Sequence, residues 1–178
     1  CVRSLSKIII WGRNPKKVQA FINKHKNNTS INLQSSNNIE SAVKHADIIC
    51  TVTSSSEPIL FNKWIKPGTH LNLVGSSVPN KSEVDTDLVL KSKFYVDYRE
   101  STLAQAGEFL KAKNEGLLNN SHIKGEIGEV ILGKKESRTS ETEVTVYKSL
   151  GVASQDLAAA YYVYQNAKKN NIGQIINI

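Results

Sequence analysis

Four short runs of β-branched and aromatic residues, each interleaved with helical pattern, restrict this chain more than anything else in it. Lys7–Trp11, Asp47–Thr53, His70–Gly75 and Phe94–Asp97 read as near-continuous apolar runs rather than alternating ones. Strands buried on both faces read this way, and strands that alternate with helices build a parallel sheet covered on both sides. The class is therefore α/β. Asn14-Pro15 opens the first helix, because Asn caps well and Pro suits the first turn. Val18, Phe21 and Ile22 then recur at helical spacing and form one apolar stripe. Ile31–Leu33 is a brief strand, and Asn38–Ala46 a short helix. In the last third, Ile127–Gly133 suggests a helix, Val144–Tyr147 a strand, and Ser154–Lys169 a long helix with Leu157, Tyr161 and Tyr164 on one face.

At 178 residues the chain holds one to one and a half domains. A hydrophobic share of 39% with 22% charged residues excludes a disordered tail or a collagen-like chain. The longest apolar run, Ile8–Trp11, is far too short to span a bilayer. There is no methionine and the first residue is Cys1, so the expectation is a chain that lacks its beginning. A leading Cys also suits a processed lipoprotein, but Val2–Ser6 run straight into a strand with no tether. Cys1 and Cys50 have no metal-ligand spacing; Cys50 reads as a reduced core residue, and no metal is expected. The net charge of +7 matches Arg3, Lys7, Arg13, Lys16, Lys17, Lys24 and Lys26, which all precede the first acidic residue, Glu40. Such a stretch is either a solvated helix flank or a face for an anionic ligand. No nucleic-acid signature accompanies it, and no nucleic-acid partner is expected.

The strand ends carry the chemistry. Ligands of an open parallel sheet sit beyond the carboxyl ends of its strands. Three ends here are small or polar: Gly12-Arg13-Asn14, Thr51-Val52-Thr53-Ser54 and Val74-Gly75-Ser76-Ser77. Any one alone is a simple way to end a strand; three at corresponding positions point to a nucleotide site. In a dinucleotide fold the end of the second strand faces the adenosine ribose, where an acid selects NAD and an arginine accommodates the 2′-phosphate of NADP. Arg13 stands there with no acid nearby, and a guanidinium matches a phosphate bidentately. Asn14 caps the helix and offers a second donor. The phosphate loop itself is missing: no two of the ten glycines are separated by a single residue, so GxGxxG cannot be written. The expectation is a Rossmann-like parallel sheet lacking its first strand and glycine loop.

The ordered segments Ile10–Pro15, Val74–Pro79, Val96–Glu100, Gly125–Gly133, Val146–Gly151 and Gln155–Ala158 resemble the ornithine cyclodeaminase/mu-crystallin family over nearly the whole chain. The resemblance implies a partial Rossmann domain over residues 1–125. Residues 126–178 would return, with a strand and a helix, to a substrate and dimerisation domain. It also implies an NAD(P) cofactor, a small imino- or amino-acid substrate, a cytoplasmic homodimer, and no membrane association. By the same resemblance Arg13 and Asn14 match the 2′-phosphate contacts, and Thr51 and Thr53 the cofactor-lining strand end. Val74, Gly75 and Ser77 match the loop beside the nicotinamide, and Ser149, Leu150 and Gly151 the segment that closes over it.

Ornithine cyclodeaminases carry an aspartate where this chain has Ser77, whereas ketimine reductases resemble it in having serine. A serine without a partner is no general base at neutral pH. Ser77 therefore favours NADPH-dependent reduction of a cyclic ketimine, with NAD possible as cofactor. Ornithine cyclodeamination, and a truncated inactive or non-catalytic cofactor-binding protein, remain as alternatives. Gln105 stands near where relatives place an acid beside the substrate; it is either a substrate contact or a helix-surface residue. Lys148 reads as structural.

Overall fold

The computed structural model describes residues 3–174 and 176; Cys1 and Val2, and with them the readings of the chain's start, lie outside the described residues. Among the described residues seven strands and seven α-helices follow one another. In order, they are β1 Lys7–Trp11, α1 Pro15–His25, β2 Asn32–Ser36, α2 Ile39–Val43, β3 Ile48–Thr51, β4 His70–Leu73 and α3 Thr86–Lys91. The chain continues through β5 Lys93–Val96, α4 Arg99–Gln105, α5 Gly107–Asn114, β6 Ile123–Glu126, α6 Ile127–Ile131, β7 Thr145–Lys148 and α7 Ala153–Lys169. All strand pairs are parallel. β1 pairs with β2, and the other five run in the order β3-β4-β7-β5-β6. No strand among the described residues bridges β1 to β3 by hydrogen bonds. Ile9 and Trp11 of β1 nevertheless pack against the common core.

Local chemistry explains the element starts. The Asn14 side chain accepts from the Lys17 amide at 3.1 Å with Pro15 in the first turn. Asn38 accepts from the Ser41 amide at 2.8 Å, and Asp85 caps α3 by accepting from Leu88 at 3.1 Å. Each side chain satisfies one amide that has no partner inside its helix.

The core lies on one face of the five-stranded sheet. Leu71, Leu73, Phe94, Val96 and Val146 are fully buried and cluster with Leu88, Val89 and Phe109 from α3 and α5. Phe94 and Phe109 stack tilted with centroids 5.6 Å apart. The opposite face differs from the expectation of cover on both sides. Ile48 and Cys50 of β3 are exposed, and His70, Asn72 and Tyr147 half-buried. A cleft of about 550 Å³ opens there, lined in part by Ile48, His70, Tyr95 and Tyr147. Cys50 is thus a free, exposed thiol rather than a core residue, because its side chain points to the uncovered face. Phe21 also leaves the predicted stripe: it is 51% exposed and stacks on His25 at 4.4 Å, while Val18 and Ile22 are buried. α7 buries none of its residues, and Leu157, Tyr161 and Tyr164 all face solvent.

Residues 126–178 give the sheet its middle strand. β7 lies between β4 and β5, and the preceding loop is pinned to β5 by Glu143. Its carboxylate sits 2.8 Å from Lys93 Nζ and accepts from the Thr139 amide and hydroxyl, each at 2.8 Å. The hydrogen bond from Lys93, then that from the Thr139 amide, brings the Glu143 carboxyl down to about 2 from 4.5. A carboxyl held low in the folded state stabilises fully above its unfolded value and loses that contribution as pH falls through the folded one. Glu143→Gln is therefore expected to lower stability at neutral pH, with the gap to the parent closing between pH 4.5 and about 2 in denaturant titrations. A pH-independent gap would show that the carboxylate charge is not what anchors the loop.

Candidate nucleotide-edge site

Because the pairing within each sheet is parallel, the sequence-predicted strand-end residues fall at the carboxyl edge of their own sheet. Arg13 and Asn14 follow β1, Thr51 ends β3 with Thr53 just beyond, Val74–Ser77 follow β4, and Ser149–Gly151 follow β7. Arg13 is exposed, and the first turn of the adjoining α1 carries Lys16 and Lys17 and no acid. A helix N-terminus favours negative charge, so this basic turn is mismatched to its own dipole unless an anion approaches. Val52 and Val74 are 73% and 45% exposed, making an apolar ledge at adjacent strand ends, with Ser77 exposed beside it.

Behind the ledge the two loops are locked together by Glu83, which is fully buried. Its carboxylate accepts from the Thr51 hydroxyl and the Thr53 amide, each at 2.6 Å. Thr51 and Thr53 therefore turn their donors inward, to Glu83, rather than to the open edge. Gly75 is required by close approach: a Cβ there would overlap the Thr53 carbonyl oxygen and the Glu83 carboxylate. Ser76 follows with φ +54°, a left-handed conformation uncommon outside glycine, and its hydroxyl donates to the Ser55 carbonyl at 2.7 Å. Backbone bonds from Val74 and Gly75 amides to the Thr51 carbonyl close the junction.

Lys148, the last residue of β7, lies under the same loop and is fully buried. Its ammonium donates to the Gly75 carbonyl at 2.6 Å and reaches the Ser76 carbonyl at 3.5 Å. Glu108 of α5 stands 3.0 Å away, off the line of a hydrogen bond, so the contact is one of charge. Burial pushes the Glu108 carboxyl up, against the pull of Lys148.

The Ser149–Gly151 segment is held by Asp97 at the end of β5. Asp97 Oδ2 accepts from the Leu150 amide at 2.6 Å, the Gly151 amide at 2.7 Å and the Ser149 hydroxyl at 3.3 Å, while Oδ1 accepts from the Tyr98 amide at 2.7 Å. Gly151 turns with φ +89°, a conformation that glycine adopts without steric cost. Gln105 ends α4 and is exposed. Two residues on, Gly107 abuts the carbonyls of Val78, Pro79 and Lys81, so the α4–α5 joint touches the loop that follows Ser77. Among the described residues no cluster of His, Cys, Asp or Glu suits a metal ion, and no helix is long and apolar enough to cross a membrane.

Glu83 and Glu108 escaped the sequence reading as site residues, and Asp97 entered it inside a motif and as an apparent but not favoured catalytic partner of Lys148. Apart from the adjacent Tyr98 amide on Asp97, their partners lie 30 to 54 residues away in the chain, and no local spacing announces them. The one available signal was an acid in an otherwise apolar or small-residue context, as in Val96-Asp97 and Gly107-Glu108. Asp97→Asn keeps the shape but replaces an acceptor oxygen by an amide that faces the Leu150 and Gly151 N–H groups. The expected result is a loss of about 1.5–3 kcal/mol, the range for hydrogen bonds to a charged group. Faster hydrogen exchange at Leu150 and Gly151 should accompany it; unchanged exchange there would disprove the role of Asp97.

The known proteins most informative here share both sequence and shape with the chain. It is 37% identical over 163 residues to ketimine reductase mu-crystallin of Mus musculus, covering 92% of this chain and 48% of that protein. It is 35% identical over 179 residues to a Delta(1)-pyrroline-2-carboxylate reductase of Bacillus cereus, covering 98% and 54%. The solved structure of Thermococcus litoralis Delta(1)-pyrroline-2-carboxylate reductase in complex with NADH and L-proline superposes with a TM-score of 0.91 at 30% identity, again covering 98% of this chain and 54% of that one. The chain thus spans about half the length of the relatives it matches, and its fold is Rossmann-type α/β. The family model for ornithine cyclodeaminase/mu-crystallin matches residues 1–171, and the chain belongs to that family.

Proposed function

We propose that the protein carrying this chain is an NAD(P)H-dependent reductase of a cyclic ketimine or related imino acid. The observation that carries the reading is the sheet edge itself, where Val52, Val74 and Ser77 lie exposed at the ends of the neighbouring strands β3 and β4 and Arg13 lies exposed at the end of β1. Relatives named as ketimine, pyrroline-2-carboxylate and iminosuccinate reductases support it, the last with NAD+ bound in its solved structure. A bound nicotinamide supplies a hydride to the imine carbon. The chain's own part is to seat the flat ring on Val52 and Val74, to meet the 2′-phosphate with Arg13 and Asn14, and to close the site with Ser149–Gly151. Ser77 orients substrate, or the water that delivers a proton to the imine nitrogen. Thr51 and Thr53 line the cofactor side through the backbone that Glu83 holds, and Gln105 approaches substrate from the α4–α5 joint.

In this reading residues 1–125 form part of the nucleotide domain. Residues 126–178 return to a substrate and dimerisation domain after lending β7 to the sheet. The apolar exposure of α7 supports a homodimer, and an archaeal alanine dehydrogenase with a similar fold is itself a dimer with bound NAD. A free, exposed Cys50 suits the reducing cytoplasm.

Two measurements test the proposal. The protein should prefer NADPH, and Arg13→Asp should reverse the preference by roughly 10- to 100-fold in kcat/KM, the loss of charge-assisted hydrogen bonds worth about 1.5–3 kcal/mol. An unchanged preference would refute the assignment of Arg13. Supplied with a cyclic ketimine, the protein should oxidise NADPH, and Ser77→Ala should slow it about tenfold through a lost orienting hydrogen bond. Efficient conversion of ornithine to proline would instead assign cyclodeamination.

A further inference from the structure

We infer that Lys148 is a positioning residue for the Val74–Ser77 loop: its buried ammonium sets where the Gly75 and Ser76 carbonyls stand, and through them Val74 and Ser77. The inference rests on the reading of that loop as the nicotinamide side of the site. Three observations converge on it. Lys148 is fully buried, yet its nearest acceptor is a loop carbonyl at 2.6 Å, closer than the carboxylate of Glu108 at 3.0 Å. The loop it grips has little freedom otherwise, since Gly75 fits against Thr53 and Glu83 with no room for a side chain and Ser76 sits at φ +54°. A loop in a sparsely populated conformation persists only where its surroundings over-determine it. Finally, Glu108 has no hydrogen-bond partner for either oxygen and is 2% exposed, so it serves as a counter-charge to Lys148 rather than as an anchor of its own.

A plain structural ion pair predicts something different. Replacing both members of a buried pair by apolar residues of similar size is often neutral or stabilising, whereas removing one member strands a buried charge. Lys148→Met alone would leave Glu108 and Glu83 together without a cation, so the decisive variant is Lys148→Met with Glu108→Leu in the protein that carries this chain. Glu83 keeps its two donors, Thr51 and Thr53, in that variant.

The expected result is a melting temperature near the parent's. Amide exchange at residues 74–77 should be about tenfold faster, reporting local opening without global unfolding. The kcat for hydride transfer should fall about 100-fold, the scale of an ångström-sized misplacement, with a much smaller change in KM for the cofactor. Unchanged exchange and unchanged kcat in the folded double variant would overturn the inference. A protein that reduces no imine would sink the reductase reading, while the exchange rates would still decide the role of Lys148. Should the variant fail to fold, the unmodified protein answers through nitrogen NMR of the Lys148 ammonium. A protected ammonium coupled to the Gly75 carbonyl supports positioning, and a rapidly exchanging one refutes it.

Discussion

Two buried charges of opposite sign hold the carboxyl edge of this sheet in shape. Lys148 reaches up from the middle strand to the carbonyls that follow β4, and Glu83 reaches across to the donors that follow β3. Taking either charge out of water is costly, and each is compensated by nearby polar or charged partners. Lys148 has two carbonyls and Glu108, and Glu83 has a hydroxyl and an amide. The closely fitted glycine at position 75 and the left-handed Ser76 follow from that packing. The outward face of the two loops is then free of internal bonding duties and presents Val52, Val74 and Ser77.

Asp97 does for the third loop what Glu83 does for the first. It collects four donors, three of them from the turn after β7, and so ties the ends of β5 and β7 together. The edge is thus framed by carboxylates and one ammonium that all point inward. The residues suited to meeting a ligand — Arg13, Val74, Ser77 — lie outside this frame. Under the proposed reading, preorganisation of this kind would let a flat ring settle on an existing surface instead of ordering one.

Much of the strand and helix pattern was legible in the residues, for physical reasons that can be named. β1, β4 and β5 are apolar runs long enough to stand out, and α1 announces itself through Asn14-Pro15. The strand-end residues were legible too, because parallel strands leave their carboxyl ends on one side. α3, α4, α5 and β6 were not singled out. Three of them are seven residues or fewer, and β6 contains Lys124, Gly125 and Glu126, so periodicity has little to act on. Cys50 and Phe21 were misjudged for another reason. An apolar residue in a strand or stripe reads as buried only if something covers its face, and cover is a property of the tertiary arrangement. The inward-facing acids were the least legible, since Glu83, Asp97 and Glu108 act through partners brought near by the sheet alone.

The position of β7 bears on how the chain comes to be folded. Its strand is the last to be written in sequence, yet it sits in the middle of the five. A ribosome delivering about 5–20 residues per second therefore releases β3–β4 and β5–β6 as separate pairs, each with an open edge. Only when Lys148 has emerged can the two halves be zipped into one sheet. The same residue then brings the charge that seats the Val74–Ser77 loop. Completion of the sheet and seating of the Val74–Ser77 loop are, on this topology, a single event that waits on β7.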